Sequence, residues 1–355
     1  MAPARDPLLS RVLVAIYVLL VVYASLYPLT GWRNHGGSPL EFLGAPFPRQ
    51  VLNFDALVNV AAYLVLGLLA VLAWRPTLRG GAALVAALAL GAGLSLAMEA
   101  LQSYLPTRTP SSLDLACNAA GALLGALIGL RASPWEEPMR HWRARVLVPG
   151  AQADFGLALL GLWLFTQLNP AMLLFGVGDL RDLFVGPAGP ARAPELFVAI
   201  EAVTAAANLA AVALLASAIA VPGAPVRAMV AALVLAALIV KTFAFAVILR
   251  AQDGLAWLTP GALQGIVAGL LVALLAVGLP RVARLALAAV LLMAAAVLVN
   301  LAPQNPYMAA MLKLWQQGHF LNFNGMTRLV AVLWPFVATG FLIYLAARRR
   351  EDALL

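Results

Sequence analysis

Nine windows of this chain run without a single Asp, Glu, Lys or Arg: Val12–Trp32, Ala56–Trp74, Gly80–Met98, Leu115–Leu130, Phe155–Gly178, Ala202–Val226, Gly254–Pro280, Leu285–Leu312 and Leu329–Ala347. A tenth, Ala228–Leu249, is broken only by Lys241. An α-helix needs about 20 apolar residues to cross a ~30 Å hydrocarbon core. Ten such runs cannot all be hidden in a water-soluble core of 355 residues, of which 63% are apolar and only 11% charged. Soluble domains stand nearer 45–50% and about 25%. Backbone inside a bilayer must satisfy its own hydrogen bonds, and the windows lack the ~10-residue alternation of barrel strands. The predicted fold class is therefore all-α: a polytopic integral membrane protein with about ten transmembrane helices. The first window is longer than a signal-peptide core and has no clear A-x-A cleavage pattern, so it is read as a span.

The basic residues orient the chain. With the N-terminus inside, fourteen of the 23 Lys and Arg fall on the inner side, eight on the outer side and Lys241 within a span. That bias predicts a cytoplasmic N-terminus and C-terminus in a bacterial cytoplasmic (inner) membrane. Trp32, Trp74, Trp257 and Trp334 fall at window ends, as an aromatic belt requires, and Arg348–Arg350 reads as an anchor on anionic lipid. The charged stretch 131–154, with Pro134, Pro138 and Pro149, reads as a cytoplasmic linker between a four-helix unit over 1–130 and a six-helix extension over 155–355. Met308–Gln316 reads either as a short interfacial helix or as an ordered loop. Spans 2–4 and 6–8 share an order of features: an acid near the start, an ionisable group near the second exit, then a glycine-rich span. They form a candidate parallel repeat. Leu52–Asp55 and Leu321–Asn324 also look alike.

The net charge of +8 does not point to nucleic acid, because the arginines are dispersed between apolar runs. Cys117, the only cysteine, excludes an intrachain disulfide and reads as a small hydrophobe. The three histidines, His35, His141 and His319, show no metal-ligand spacing, and no metal or cofactor is expected.

Ionisable groups inside spans are expensive and by default functional. Span 2 opens with Asp55 and Asn59, span 3 closes with Glu99 and Gln102, and span 4 opens with Asp114 and Asn118. Each pair has i,i+3 or i,i+4 spacing, so it shares one helix face. Span 3 runs opposite to its neighbours, so the three pairs meet on one side of the membrane, the outer side in the predicted orientation. Arg108 lies in the short loop above them. Gly121, Gly125 and Gly129 then allow span 4 to approach a neighbour closely.

The order of Asp55 and Asn59, Glu99 and Gln102, Arg108, then Ser112, Asp114, Asn118 and Gly121 resembles the VanZ-like membrane protein family over residues 10–130. The family is named after a member associated with resistance to the glycopeptide antibiotic teicoplanin. The resemblance implies a cell-envelope setting and a glycopeptide-resistance-like role, but no reaction. The further six spans depart from the family pattern.

The seven polar residues admit two readings. As a site, the carboxylates and Arg108 would bind a headgroup, sugar or peptide terminus, the arginine taking a phosphate or carboxylate. The acids and amide oxygens could also hold a hard cation, or one carboxylate could act as an acid or base. As a clamp, Arg108 would pair with Glu99 or Asp114 while the amides cross-link three helices. Interhelical hydrogen bonds average only about 0.6 kcal/mol, which makes six polar groups an inefficient way to gain stability. Glu201 and Lys241 are expected to form an intramembrane ion pair between spans 6 and 7. Expected partners are membrane lipids and a lipid-linked or cell-wall precursor. The alternatives are a membrane-embedded enzyme on such a substrate, with no Ser/His/Asp or Cys/His set to supply a nucleophile, or a transporter. The transporter is disfavoured by the lack of a visibly broken helix or inverted repeat.

Overall fold

The computed structural model describes residues 8–34, 36–46, 53–75, 77–181, 193–248, 251–303, 305 and 320–352. Among these residues, eleven α-helices form: α1 (Leu8–Leu26), α2 (Asn53–Trp74), α3 (Gly81–Gln102), α4 (Ser112–Arg131), α5 (Ser133–Val146), α6 (Ala151–Thr166), α7 (Pro194–Ala218), α8 (Val226–Ile248), α9 (Pro260–Ala276), α10 (Arg281–Leu301) and α11 (Phe320–Asp352). Eight are long and apolar enough to cross a membrane; α6 and α9 are shorter apolar helices of 16 and 17 residues. These ten occupy the ten apolar windows, and the chain is a polytopic all-α membrane protein. No strand occurs among the described residues, only an isolated antiparallel bridge between Leu147 and Ala220. The helices present apolar side chains outward, among them Leu19, Val85, Ile239, Val267, Leu275 and Val290, an inversion that only a lipid surround makes favourable.

Two stretches fold differently from their reading in the sequence. The window Phe155–Gly178 is not one continuous span: α6 stops at Thr166, and residues 167–180 continue as non-helical backbone. The stretch 131–154, expected as a linker, carries α5 over most of its length despite Pro138 inside it. The interfacial helix considered for Met308–Gln316 lies outside the described residues.

The chain divides into two compact units, Met1–Ala144 and Arg145–Leu355. In unit 1, glycines bring α4 into backbone contact with α2. A Cβ on Gly121 would strike the Val60 carbonyl, one on Gly125 the Leu64 carbonyl, and one on Gly67 the Ala122 carbonyl. α3 closes on the same place, where Gly91 faces the Ala122 methyl. Tyr63, Leu66 and Ala122 are buried at this junction, with Val21 from α1 beside them.

Unit 2 uses the same device. Gly261, Gly265 and Gly269 of α9 face α7, where added Cβ atoms would come to 2.7 Å from the Val198 carbonyl, 3.0 Å from that of Ala202 and 2.9 Å from that of Ala206. Its core gathers Trp163, Phe175, Leu209, Ile219 and Trp334. The Trp163 and Phe175 rings stack with centroids 5.7 Å apart, and the Trp334 indole donates to the Leu159 carbonyl at 2.7 Å.

Candidate functional site

The start of α2, the end of α3 and the start of α4 come together at one end of unit 1, and the sequence-predicted polar residues gather there. Asn59 donates to Asp114 Oδ1 at 2.9 Å, joining α2 to α4. Asp55 lies within electrostatic reach of Asp114, as does Glu99, which in turn feels Arg108. Glu99 is buried and accepts the Ser111 N–H at 2.9 Å. Ser111 is the N-cap of α4, its hydroxyl accepting the Leu113 N–H. The Glu99 carboxylate therefore sits at the positive end of α4, where a negative charge is favoured. One turn deeper, Asn118 donates to Ser95 Oγ at 2.9 Å, and Tyr63 is hydrogen-bonded to the same Ser95. The buried Asn118 Oδ1 finds no partner.

Two of the seven residues do something else. Arg108 forms no ion pair with Glu99 or Asp114; its Nη2 donates to the carbonyls of Ala24 (3.2 Å) and Tyr27 (3.0 Å). Gln102 donates to the Ser25 carbonyl at 2.9 Å. Both side chains satisfy carbonyls left open at the C-terminus of α1, a place suited to a cation. Partial burial lowers the Arg108 pKa, Glu99 opposes that shift, and an arginine stays charged throughout. Side-chain reach in sequence could not reveal this, because the acceptors are backbone atoms of another helix. Ser95 was also missed; its signal is the i,i+4 spacing to Glu99 on the buried face of α3.

Beside this polar end lies an open pocket of about 270 Å³, lined by Ser38, Glu41 and Phe42 from the α1–α2 connection and by Ser103, Tyr104 and Pro110 from the α3–α4 loop. The Arg33 N–H donates to the Tyr104 carbonyl, tying the two loops together. One carboxylate, Glu41, the hydroxyls of Ser38, Ser103 and Tyr104, and the Phe42 and Tyr104 rings line this space; Asp55, Glu99 and Asp114 lie outside its lining. Among the described residues, no group of three or more His, Cys, Asp or Glu side chains is placed to hold a metal ion.

Unit 2 holds a separate buried polar cluster. Lys241 is fully buried, and its ammonium donates to the carbonyls of Asn169 (2.8 Å) and Met172 (2.7 Å). The expected direct pairing with Glu201 is replaced by these backbone contacts; Glu201 is within electrostatic reach of Lys241 and is hydrogen-bonded to Thr259, the N-cap of α9. The acceptors exist because α6 ends early. A helix of 16 residues rises about 24 Å, short of a full crossing, so the following backbone runs within the protein near one membrane boundary. Such backbone is tolerated only when buried protein groups satisfy it. Here Asn169 donates to Asn324 and Thr327, the Phe175 N–H donates to Gln167, and Asn300 both donates to the Gly178 carbonyl and accepts the Leu180 N–H. Gly178 itself turns at φ +82°, wedged against Ala296 and Pro335, a place for glycine alone.

Residues 12–132, about a third of the chain, match the VanZ/LLP1 family. Neither a curated protein nor a solved structure matches the chain. The stretch 12–132 is VanZ-like, and the chain is a multi-pass membrane protein that continues beyond this match in a long C-terminal extension.

Proposed function

We propose that unit 1 binds the polar part of a cell-envelope component at the pocket beside Asp55, Glu99 and Asp114. The observation that carries this reading is the gathering of Asp55, Glu99 and Asp114 at the glycine-packed end of unit 1, next to an open pocket lined by Ser38, Glu41, Ser103 and Tyr104. The ligand chemistry that fits is donor-rich, an amine or a hydroxylated headgroup or sugar, because carboxylates are acceptors only. Phe42 and Tyr104 supply apolar faces for such a group, and close helix packing fixes the acceptors in advance. A glycopeptide-resistance-like role would follow if the bound component were a cell-wall precursor. Exposure to the outer leaflet rests on the distribution of basic residues.

The variant Asp55→Asn/Glu99→Gln/Asp114→Asn separates this reading from a clamp. Each amide keeps an oxygen able to accept the bonds from Asn59 or Ser111, so the helix contacts survive while the charge is lost. Native mass spectrometry of protein extracted with its surrounding lipid should show an envelope lipid or precursor retained by the wild type and depleted at least tenfold in the variant, about 1.4 kcal/mol or more of binding, with the thermal midpoint unchanged or raised. Equal retention in the two proteins, or a variant that falls apart, would sink the proposal.

A second reading, that unit 2 conducts a proton or small ion, is favoured by the non-helical segment after α6, the buried Lys241 bonded to it and the half-buried Glu201 within electrostatic reach of Lys241, since transporter sites are built at such breaks. Proton influx into vesicles under an imposed potassium diffusion potential should then slow several-fold in Glu201→Gln. Identical influx in wild type, variant and empty vesicles would remove this reading.

A further inference from the structure

α5 is the one helix among the described residues too polar to cross a bilayer, yet the chain confines it there at both ends. Only Ala132 separates it from the end of α4, and only residues 147–150 separate it from the start of α6. Four extended residues reach about 14 Å at most. A 14-residue helix is about 21 Å long and, tied to the membrane boundary at both ends by such short links, it must run along the surface instead of projecting from it.

Its sequence is divided accordingly. At 3.6 residues per turn, Pro138, Met139, Trp142 and Val146 fall on one side, Glu137, Arg140 and Ala144 on the other, and Arg143 and Arg145 along the two margins. Met139 is 61% and Trp142 51% exposed, so the protein leaves the middle of that side uncovered, while Val146 at its end is buried in the core of unit 2. Arg140 is held by Glu137 at 3.1 Å across one helical turn, with both side chains exposed. Further arginines, Arg11, Arg79 and Arg131, lie at the ends of spans on the same membrane face.

We propose that α5 is an interfacial helix that seats Met139 and Trp142 among the acyl-chain ends of an anionic leaflet while Arg143 and Arg145 at its margins hold lipid phosphates. Indole and thioether are suited to the boundary layer, and marginal arginines can extend their charged ends outward from it. The basic rim selects anionic lipid over a zwitterionic surface. This does not depend on the pocket at the other end of unit 1, and a failure of either leaves the other standing.

The test uses the full chain with Cys117→Ala and a nitroxide label at Met139→Cys, Trp142→Cys or Glu137→Cys, reconstituted in phosphatidylcholine vesicles with or without phosphatidylglycerol. Labels at 139 and 142 should collide several-fold more with oxygen than with a water-soluble nickel chelate, and the label at 137 should show the reverse. Adding phosphatidylglycerol should deepen the labels at 139 and 142, and Arg143→Gln/Arg145→Gln should abolish that deepening. All three positions are exposed, so the labels leave the packed core alone, and the two apolar-face positions check one another. Nickel access that is equal at 137, 139 and 142 overturns the proposal, as it would if this face docked a protein partner instead of lipid. Depth that is indifferent to phosphatidylglycerol overturns the anionic preference.

Discussion

Gly125→Ala is expected to destabilise the protein by about 3 kcal/mol or more, the upper range of overpacking effects. The added methyl has nowhere to go. It would occupy the space of the Leu64 carbonyl, with Leu68 on the other side, and backbone cannot swing aside as a side chain can. α2 and α4 must then separate along their whole contact, which also pulls Asp114 away from Asn59. Gly93→Ala, on α3, supplies the comparison, because a Cβ there meets nothing within 4 Å. That change should be neutral or stabilising by up to about 1 kcal/mol, through helix propensity and lost freedom of the unfolded chain. Thermal unfolding in detergent measures both. If Gly125→Ala unfolds with the wild type, α2 and α4 do not pack backbone to backbone, and the pre-organised acidic end loses its physical basis.

The same glycines show what the sequence can disclose. Gly121, Gly125 and Gly129 announce close approach by their spacing, and Gly261, Gly265 and Gly269 do the same in the glycine-rich third span of the candidate repeat. Span 3 reverses direction between spans 2 and 4, so the meeting of Asp55, Glu99 and Asp114 at one end needs no coordinates. The partners of Arg108, Gln102 and Lys241 were not legible for a common reason: all three bond to backbone carbonyls. A carbonyl has no letter in the sequence, and whether it is free depends on where a helix stops. The window Phe155–Gly178 contains no charge and reads as one long span, because hydropathy reports composition and not hydrogen bonding. Thr166, Gln167 and Asn169 are the local hint of a break. Each can compete with the helix for backbone partners, and each bonds within the turn that ends α6. α5 escaped notice because a stretch judged only by its charges and prolines looks like a linker; the recurrence of Met139, Trp142 and Val146 becomes visible when 3.6-residue periodicity is applied to it.

The break after Thr166 leads to the second large effect. Lys241→Met keeps the volume and length of the side chain but removes the donor shared by the Asn169 and Met172 carbonyls. Each buried group left without a partner costs about 1–3 kcal/mol, so the expected loss is about 3 kcal/mol, concentrated in residues 167–180. Amide hydrogen exchange should show it locally, with the Phe175 and Gly178 N–H groups losing protection while the α7–α9 contact keeps its own. Lys241→Gln, which retains an amide donor, should recover part of the loss. The alternative, that Lys241 is retained to neutralise Glu201, makes a different prediction. Removing one member of a buried ion pair is destabilising by about 3–5 kcal/mol because the other charge is stranded. Removing both would then restore much of the stability. A double-mutant cycle of Lys241→Met and Glu201→Gln decides between them. With the ammonium bonded to carbonyls and Glu201 bonded to Thr259, the coupling should be below about 1 kcal/mol, and the double variant should remain as unstable as Lys241→Met. A coupling of several kcal/mol would mean that the charge of Glu201, and not the interrupted backbone, is what holds a lysine inside the membrane.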